Sequence, residues 1–369
     1  MMLVIPNLGG GGAERTMLNI CAYLDRRSFE PILVMGEKRG PYCSQIPQDV
    51  FAISMDEVHM RRCISKLATI MRIIKPDIVF STLTHMNIVS IAAHSMSKSP
   101  SRVLVREASV YNEALTQVPK SRRRLLDFMV KTHYKKADSI VFLSEGAAGD
   151  FAKRFSSIDT TKFRVVHNPV DINRISKLKG EPIDAQWWPS SKRTIISAGR
   201  LNTVKGYNYL LEAMQIVSRA LPDTRLVVMG SGEEEENLRA YSKQLGIDES
   251  VAFVGFQENP FKYIANSDVF VLSSLWEGFA NVVVEAMACG VPVVATNCPY
   301  GPREIVQHEV NGILVPPRDS QALALSIIRV LTNSKLASTL VDNAVERAKD
   351  FHVATIVKEY EMLFRRLVE

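Results

Sequence analysis

Short apolar runs alternate with longer amphipathic segments along the whole chain. A run such as Val269–Leu272 is apolar at every position, as expected of a parallel strand covered on both faces. Because a helix-length segment follows each run, the pattern predicts repeated β-α-β units. The predicted strands are Leu3–Pro6, Pro31–Met35, Asp77–Ser81, Arg102–Arg106, Ser139–Leu143, Arg164–His167, Thr194–Ser197, Arg225–Met229, Val251–Val254, Val269–Leu272, Pro292–Ala295 and Gly312–Val315.

The alternation is interrupted once, in a stretch where proline and tryptophan replace the regular pattern. This stretch runs from Asn168-Pro169-Val170-Asp171 to Pro189-Ser190-Ser191 and is suited to an interdomain connection. A chain of 369 residues is long enough for two domains. We therefore predict two doubly wound α/β domains, residues 1–172 and residues 173–350, followed by a last helix within residues 351–369.

The composition is that of an ordinary globular protein, with 46% hydrophobic and 23% charged residues. It excludes a disordered chain, a collagen and a small disulfide scaffold. The net charge of +6 is too small for a dedicated nucleic-acid-binding protein. The charge is unevenly distributed, however, because residues 1–175 carry 25 Lys and Arg against 16 Asp and Glu, whereas residues 176–369 carry 20 against 23. A functional interpretation must explain this basic first half.

The cysteines and the N-terminus bear on the compartment. The five cysteines form no Cys-x-x-Cys pair and no metal-ligand spacing, so we expect reduced, buried thiols. The first residues lack the basic region and the length of a signal peptide. No window of about 20 residues is both free of charged residues and suited to span a bilayer, as a membrane-spanning helix requires. We expect a cytoplasmic protein that attaches, at most, to a membrane surface.

A glycine-rich turn, Gly9–Gly12, follows the first predicted strand and precedes a helix. Glycine allows close backbone approach, and free N–H groups at a helix N-terminus attract phosphate. The dinucleotide fingerprint fails because Glu14 stands where its last glycine belongs, and no Gly-x-x-x-x-Gly-Lys-Ser/Thr motif is present. An NAD-linked oxidoreductase and a P-loop NTPase are therefore disfavoured. Phosphate contact at this turn is favoured, and a merely tight turn is the alternative.

Two cations follow the first predicted strand of the second half. Arg200 comes directly after this strand, and Lys205 stands in the loop before the next helix. Each residue alone is typical of a protein surface. Together they place two positive charges at the carboxyl end of a strand, where α/β sheets bind phosphate groups.

A pair of glutamates brackets the start of an apolar helix. Glu277 lies in a loop after a strand, and Glu285 lies on the helix that begins near Ala280. One of the two carboxylates can accept hydrogen bonds from both vicinal hydroxyls of a ribose, and the other can contact the hydroxyls of a sugar. The backbone amides of Asn281 and Val282 would then face a diphosphate. The alternative, two solvated glutamates, is disfavoured by the apolar neighbours.

At this segment the sequence resembles the retaining glycosyltransferases of family 4, of the type that builds bacterial surface polysaccharides and glycolipids. The strongest part of the match is Glu277–Gly290, which is similar to the E-x7-E motif of the family. Supporting motifs are Gly9–Arg15, Asn168–Asp171, Gly199-Arg200 with Lys205-Gly206, Gly230–Glu233 and Gly301–Ile305. The match covers essentially the whole chain. It implies the GT-B fold, in which two Rossmann-like domains face a central cleft and the last helix crosses back onto the first domain.

The resemblance also implies that the second domain binds a nucleotide sugar and that the first binds the acceptor. Arg200 and Lys205 match the pair that neutralises the donor diphosphate. Glu285 matches the ribose ligand, and Glu277 matches the acid near the transferred sugar. The remaining donor-binding candidates are Gly10, Gly11 and Gly12, which would face the diphosphate across the cleft, Phe256 near the base, and Phe279, Ala280, Asn281 and Val282.

Two acceptor-side candidates follow strands of the first domain. His85 matches a cleft histidine of the family and joins Glu277, Arg200 and Lys205 as a catalytic candidate. A lone histidine is often structural, and that interpretation stays open. Glu107, after the next strand, is a further candidate.

The implied reaction is transfer of a hexose or N-acetylhexosamine, with retention, from a nucleotide sugar to a glycan or a lipid-diphosphate-linked acceptor. UDP is the expected nucleotide. No Asp-x-Asp motif is present, so we expect no metal and no cofactor. The family is assigned a front-face path in which the leaving phosphate accepts the acceptor proton, so no enzymic nucleophile is named. The alternatives are a non-catalytic nucleotide-sugar-binding subunit of a glycan-assembly complex and a GT-B nucleotide-sugar epimerase.

One segment of the first half, Lys120–Lys136, carries seven cations and one acid with apolar residues between them. Three of the cations, Arg122, Arg123 and Arg124, are consecutive. A basic amphipathic helix can lie on an anionic membrane. The hypothesis is that this helix docks the enzyme on the inner face of the cytoplasmic membrane, where a lipid-linked acceptor resides. The alternative is the solvated face of an ordinary packing helix.

Overall fold

The computed structural model describes residues 1–185, 187–188 and 193–369, so residues 186 and 189–191 of the predicted connection lie outside the described residues. The chain forms two compact units. The first unit combines Met1–Val170 with Val353–Glu369, and the second unit is Asp171–His352. Each boundary falls two residues from the corresponding predicted one.

The first unit contains one sheet of seven parallel strands. They are β1 (Met2–Ile5), β2 (Ile32–Met35), β3 (Phe51–Ser54), β4 (Ile78–Thr82), β5 (Arg102–Arg106), β6 (Ser139–Phe142) and β7 (Phe163–Val165). The spatial order is β3-β2-β1-β4-β5-β6-β7, so the winding direction reverses between β1 and β4. The carboxyl ends of these two strands form a topological switch point, where such sheets bind ligands.

Helices cover both faces of this sheet. The helices of the first 170 residues are α1 (Gly12–Tyr23), α2 (Met60–Ile74), α3 (Thr84–Ser97), α4 (Tyr111–Ala114), α5 (Lys120–His133) and α6 (Glu145–Arg154). Successive side chains of β1 alternate between the faces: Met2 and Val4 join the core under α2 and α3, and Leu3 and Ile5 join the core under α1. All four residues are buried, which explains the apolar run without alternation.

The second unit contains a sheet of six parallel strands. They are β8 (Arg193–Ala198), β9 (Thr224–Met229), β10 (Val251–Phe253), β11 (Val269–Leu272), β12 (Val293–Thr296) and β13 (Ile313–Val315). The helices of this unit are α7 (Ile172–Leu178), α8 (Tyr207–Ala220), α9 (Glu235–Gln244), α10 (Phe261–Ala265), α11 (Asn281–Cys289), α12 (Pro302–Ile305), α13 (Ser320–Thr332) and α14 (Ser334–Ala348). The order β10-β9-β8-β11-β12-β13 puts the switch point between β8 and β11.

The last helix, α15 (Val353–Val368), lies within the predicted range 351–369 and belongs to the first unit. Its side chains Tyr360 and Phe364 are fully buried, and their ring centroids lie 5.5 and 5.6 Å from that of Phe80 in β4. The apolar side of this helix is therefore part of the core that also contains side chains of α1.

The twelve predicted strands are present, with ends shifted by at most two residues, but two features differ from the prediction. Strand β3 was not predicted because it is a short edge strand that pairs only with β2, and its Phe51 is 67% exposed. The predicted irregular connection contains α7. Its start is fixed by Asp171, whose side chain accepts the N–H of Arg174 at 2.9 Å.

In each unit, a glycine with positive φ brings the loop after the second strand against the loop after the first. Gly40 has φ +119°, and a Cβ there would clash with the carbonyl oxygen of Leu8. Gly230 has φ +128°, and a Cβ there would clash with the carbonyl oxygen of Gly199. Only glycine can adopt this backbone conformation and still lie so close to a carbonyl oxygen of the neighbouring loop. The two glycines therefore hold the loops together at the carboxyl edge of their sheet.

Candidate active site

The loop after β8 presents Arg200 at the switch point of the second unit. The Gly199 N–H donates to the Met229 carbonyl and the Leu201 N–H to the Ser231 carbonyl, both at 3.0 Å. Leu201 is fully buried and anchors the loop, whereas Arg200 is exposed. The loop therefore holds a guanidinium group at the edge where an anion can reach it.

Lys205 and Glu277, which come from the loops after β8 and β11, form an ion pair. Lys205 Nζ lies 2.6 Å from Glu277 Oε1, and their side chains are 20% and 13% exposed. The Ser274 hydroxyl donates to the same carboxylate oxygen at 2.7 Å. The pair joins residues 72 positions apart, whose roles the sequence predicted separately.

The local sequence explains why Lys205 reaches this position. The side chain of Asn202 accepts the Lys205 N–H at 3.3 Å and closes a short turn before α8. Gly206 follows with φ +59°, and any Cβ there would clash with the Ser273 carbonyl oxygen. The Ser273 hydroxyl in turn donates to the Lys205 carbonyl at 2.9 Å. The two loops are thus tied together on both sides of the ion pair.

The ion pair keeps capacity for a ligand. An ammonium group carries three N–H donors, and a carboxylate accepts at two oxygens. The Lys205–Glu277 contact uses one donor and one oxygen, so Lys205 can still donate to a phosphate while Glu277 Oε2 accepts a hydroxyl. The arrangement can therefore bind an anionic group and a polyol next to each other.

The N-terminus of α11 lies in the same loop region. Its N-cap residue, Ala280, has no side-chain acceptor, so no side chain of that residue offsets the partial positive charge of the helix start. Phe279 and Ala280 are buried, and a Cβ on Gly301 would lie 3.1 Å from the Phe279 Cα. The side chains of Phe279 and Ala280 are therefore not available to a ligand.

The other donor-side candidates lie on the surface of the second unit. Asn281 and Val282 are half-buried in the first turn of α11, and Glu285 is half-buried one turn later. Phe256 follows Gly255, which has φ +69°, and is 56% exposed. Such an exposed aromatic ring after β10 is available for stacking on a base.

The glycine turn after β1 differs from the site in the second unit. The Gly9 N–H donates to the Asn7 side chain at 3.0 Å, and Gly10 has φ +95°. A Cβ on Gly11 would lie 2.6 Å from Glu14 Oε2, so this carboxylate lies over the turn at the start of α1. The predicted phosphate-facing residues Gly10–Gly12 therefore have a negative rather than a positive side chain beside them.

His85 and Glu107 lie at the carboxyl edge of the first sheet, at β4 and β5. His85 is exposed in the first turn of α3, and partial burial of its ring lowers its pKa, which favours the neutral imidazole. Glu107 is 1% exposed, so its carboxylate faces the interior. Burial raises the pKa of Glu107 above its ordinary value, and this effect outweighs hydrogen bonds from Tyr134, Thr84 and Asn87, which lower the pKa.

The basic segment forms helix α5 over Lys120–His133. Leu125 and Phe128 are 60% and 64% exposed, and they lie on the same side of the helix as the exposed Arg124. Arg123 behaves differently from its neighbours, because its Nε donates to the Val118 carbonyl at 2.8 Å and so braces the preceding loop. In the described part of the chain, no helix is both long and apolar enough to span a bilayer.

Some functional positions escaped the sequence analysis. Ser274 lies two residues after β11, and its place near the end of a switch-point strand was an available signal. Arg106 and Tyr134, which surround Glu107, gave no such signal. Arg106 looks like the end of an ordinary strand, and Tyr134 belongs to the segment that was interpreted as a basic surface.

Comparison with known families accounts for both units. Residues 10–174 match a family model described as Glycosyltransferase Family 4, and residues 181–347 match one described as Glycosyl transferases group 1. The chain belongs to glycosyltransferase family 4. The predicted family is thereby confirmed, and so is the prediction of an enzyme that transfers a sugar.

Similar proteins agree with this assignment. An uncharacterized glycosyltransferase of Methanocaldococcus jannaschii is 29% identical, over 81% of each chain. The N-acetylgalactosamine-N,N'-diacetylbacillosaminyl-diphospho-undecaprenol 4-alpha-N-acetylgalactosaminyltransferase of Campylobacter jejuni is 27% identical, over 97% of each chain. The crystal structure of Anabaena HepE with UDP-glucose matches with a TM-score of 0.83 and 22% identity, over 99% of each chain. The glycosyltransferase therefore has the predicted GT-B fold.

Proposed function

We propose that this glycosyltransferase moves a hexose or N-acetylhexosamine from a UDP-sugar to a lipid-linked glycan acceptor, with retention and without a metal. The observation that carries the proposal is the Lys205–Glu277 ion pair, formed between the two loops that also carry Arg200 and the N-terminus of α11. The pair combines an anion-binding group with a hydroxyl acceptor, as a sugar diphosphate requires. The complexes of HepE with UDP and UDP-glucose support the choice of nucleotide.

The proposed reaction exchanges one C–O bond for another at the anomeric carbon. The bond to the diphosphate breaks, and its electron pair leaves with UDP. The acceptor oxygen bonds to the same face of the sugar, and its proton passes to a phosphate oxygen of the leaving group. Arg200, Lys205 and the α11 amides stabilise the charge that grows on UDP, so no metal is needed. Glu277 orients the sugar, and Glu285 binds the ribose.

The proposed acceptor rests on relatives and on the surface of the first unit. Two Campylobacter jejuni relatives are named for undecaprenol-linked diphospho-glycans. Helix α5 exposes Phe128 and Leu125 next to Arg124 and Lys131, a combination that suits the interface of an anionic membrane. We therefore place α5 on the inner face of the cytoplasmic membrane in the working enzyme.

The donor is tested by thermal stabilisation with UDP-, GDP- and ADP-sugars, followed by product analysis with lipid-diphosphate-linked acceptors. We expect stabilisation by a UDP-sugar and an α-linked product in the presence of EDTA. Glu277→Gln should lower transfer about 100-fold while UDP still stabilises the protein. The exposed Glu249→Gln is the matched control. Absence of stabilisation by every nucleotide sugar would contradict the donor site, and full transfer by Glu277→Gln would contradict its role.

The membrane surface is tested by sedimentation with anionic vesicles. The double variant Arg124→Ser, Phe128→Ser removes one cation and the most exposed ring of α5, so we expect it to stay in the supernatant. The matched control on the second unit is Leu325→Ser with Lys335→Ser, which should sediment like the unaltered protein. Equal sedimentation of both variants would contradict a contact of α5 with the membrane.

A further inference from the structure

A strained turn connects β4 to α3 in the first unit. Leu83 has φ +74° and ψ 129°, a backbone conformation that L-residues rarely adopt. A residue held in such a region costs on the order of 1–3 kcal/mol and persists only where its surroundings impose it. The turn lies at the switch point between β1 and β4, which is the ligand-binding edge of this type of sheet.

Two consecutive residues of the neighbouring strand end hold both sides of this turn. The Arg106 guanidinium donates from Nη1 to the Thr82 hydroxyl at 3.0 Å. The Thr84 hydroxyl donates to Glu107 Oε2 at 2.9 Å. The register of the sheet pairs Thr82 with Arg106, so the two contacts follow from the alignment of β4 with β5.

The residues that hold the turn are sealed from solvent. Arg106 is 0% exposed and Glu107 is 1% exposed. Asn87 donates to Glu107 Oε1 at 3.2 Å, the Tyr134 hydroxyl donates to the same oxygen, and Arg106 also donates to the side chain of Asn168. Burying two ionisable groups is costly, and apolar residues would pack the same space at lower cost. The arrangement therefore fixes a geometry rather than maximising stability.

The residue that this geometry presents is His85. It follows Thr84 directly, is the exposed residue of the first turn of α3, and lies outside the group of side chains that hydrogen-bond to Glu107. Its orientation depends on where the first turn of α3 starts, and that start is set by Leu83 and Thr84. A shift of about 1 Å in such a group is enough to impair a reaction severely.

We propose that Arg106 and Glu107 are positioning residues that, through Thr82 and Thr84, hold the Leu83 turn and thereby fix His85 for contact with the acceptor. The inference rests on the proposed function, in which the first unit binds the acceptor. Arg106 and Glu107 touch neither substrate in this proposal. They act only through the turn.

The test removes one hydroxyl without removing a buried charge. Thr84→Val keeps the size and branching of the side chain but cannot donate to Glu107. With the full chain, a UDP-sugar and a lipid-linked acceptor, we expect kcat/KM for the acceptor to fall about 10-fold while KM for the donor changes less than about twofold. Thr84→Ser, which restores the donor, should recover the activity. Thr69→Val on the exposed side of α2 is the matched control.

A double-mutant cycle separates positioning from general stability. His85→Gln alone should lower kcat/KM for the acceptor, and adding Thr84→Val to it should cause no further loss because both act through the same ring. Multiplied losses, an equal effect on donor KM, or unchanged activity of Thr84→Val would overturn the inference. The unaltered enzyme is assayed first. If it transfers no sugar, the proposed function fails before the turn is tested.

Discussion

The two units place charged residues at the same edge of equivalent sheets but treat them differently. In the second unit, Lys205 and Glu277 are partly exposed and keep hydrogen-bonding capacity. In the first unit, Arg106 and Glu107 are enclosed and bonded to their surroundings. The topology identifies the edge where a ligand binds. The accessibility of its charges shows whether they meet the ligand or hold the protein around it.

If the second unit binds the donor diphosphate as proposed, net charge does not locate the anion site. The first unit carries 27 Lys and Arg against 18 Asp and Glu, and the second carries 18 against 21. The acidic unit nevertheless presents Arg200, Lys205 and an uncapped helix N-terminus at its switch point. A few placed donors therefore outweigh the overall charge, because interactions with distant surface charges are screened.

The largest expected effect comes from the two glycines that bring the loops together. Gly230→Ala and Gly40→Ala should each destabilise the protein by at least about 4 kcal/mol, because the new Cβ meets a backbone oxygen at an unfavourable φ. Gly149→Ala, with open space around it, should change stability by less than about 1 kcal/mol. Hydrogen exchange measured by peptide should show each loss in the unit that contains the substitution. Faster exchange in the unit without the substitution would contradict the expectation that the two glycines play equivalent roles, each in its own unit.

The next effect concerns the accessible ion pair. Lys205→Met should lower kcat/KM about 100- to 1000-fold, because it removes a diphosphate ligand and leaves the Glu277 carboxylate without its counter-ion. Lys153→Met, in the exposed ion pair of Lys153 with Asp150, is the control in the first unit. The measurement is transfer from a labelled UDP-sugar at several donor concentrations. A loss of less than threefold would place the diphosphate elsewhere.

A smaller effect distinguishes the enclosed charges by pH. Burial raises the pKa of Glu107 in the folded protein above its value in the unfolded chain. The protonated Glu107 therefore adds to the free energy of unfolding at a pH below the unfolded pKa, and this contribution is lost as pH rises through the folded pKa. Glu107→Gln cannot titrate at this position. The unaltered protein should therefore lose stability relative to this variant as pH rises above the ordinary range of a glutamate. Thermal unfolding of both proteins over acid to neutral pH measures the difference, and parallel curves would contradict it.

The smallest effect tests the glycine turn of the first unit. Glu14→Gln removes the negative charge that lies over Gly11. If Gly10–Gly12 meet the diphosphate as predicted, UDP should bind about two- to threefold more tightly, since a screened like charge is worth a fraction of a kcal/mol. Isothermal titration at low and high salt measures the change. Unaltered affinity at both salt concentrations would remove these glycines from the donor site.

Much of the fold was predictable from the sequence, because buried parallel strands appear as continuous apolar runs and helices appear as a periodic pattern of apolar residues. Strand β3 was not, because Phe51 and its neighbours pack on one side only and lack that signature. The E-x7-E segment identified a donor site through spacing within one loop and helix. The contact of Lys205 with Glu277 depends on which strands are neighbours, and the sequence does not state that order.

The same reason limits what could be predicted for the side chains of the first unit. Arg122, Arg123 and Arg124 look alike in sequence, yet Arg123 turns toward carbonyl groups of the preceding loop. Glu107 was expected to face the acceptor because it follows a strand. Its side chain instead meets Thr84 and Tyr134, which lie 23 and 27 residues away along the chain.

The position of α15 has a consequence for how the chain is made. This helix delivers Tyr360 and Phe364 to the face of β4, although the whole second unit is synthesised between β4 and α15. The second unit is one continuous segment and can form as it leaves the ribosome. The first unit stays incomplete until the last helix arrives, with an apolar sheet face uncovered. A nascent chain stopped before residue 353 therefore presents a surface that chaperones and proteases recognise.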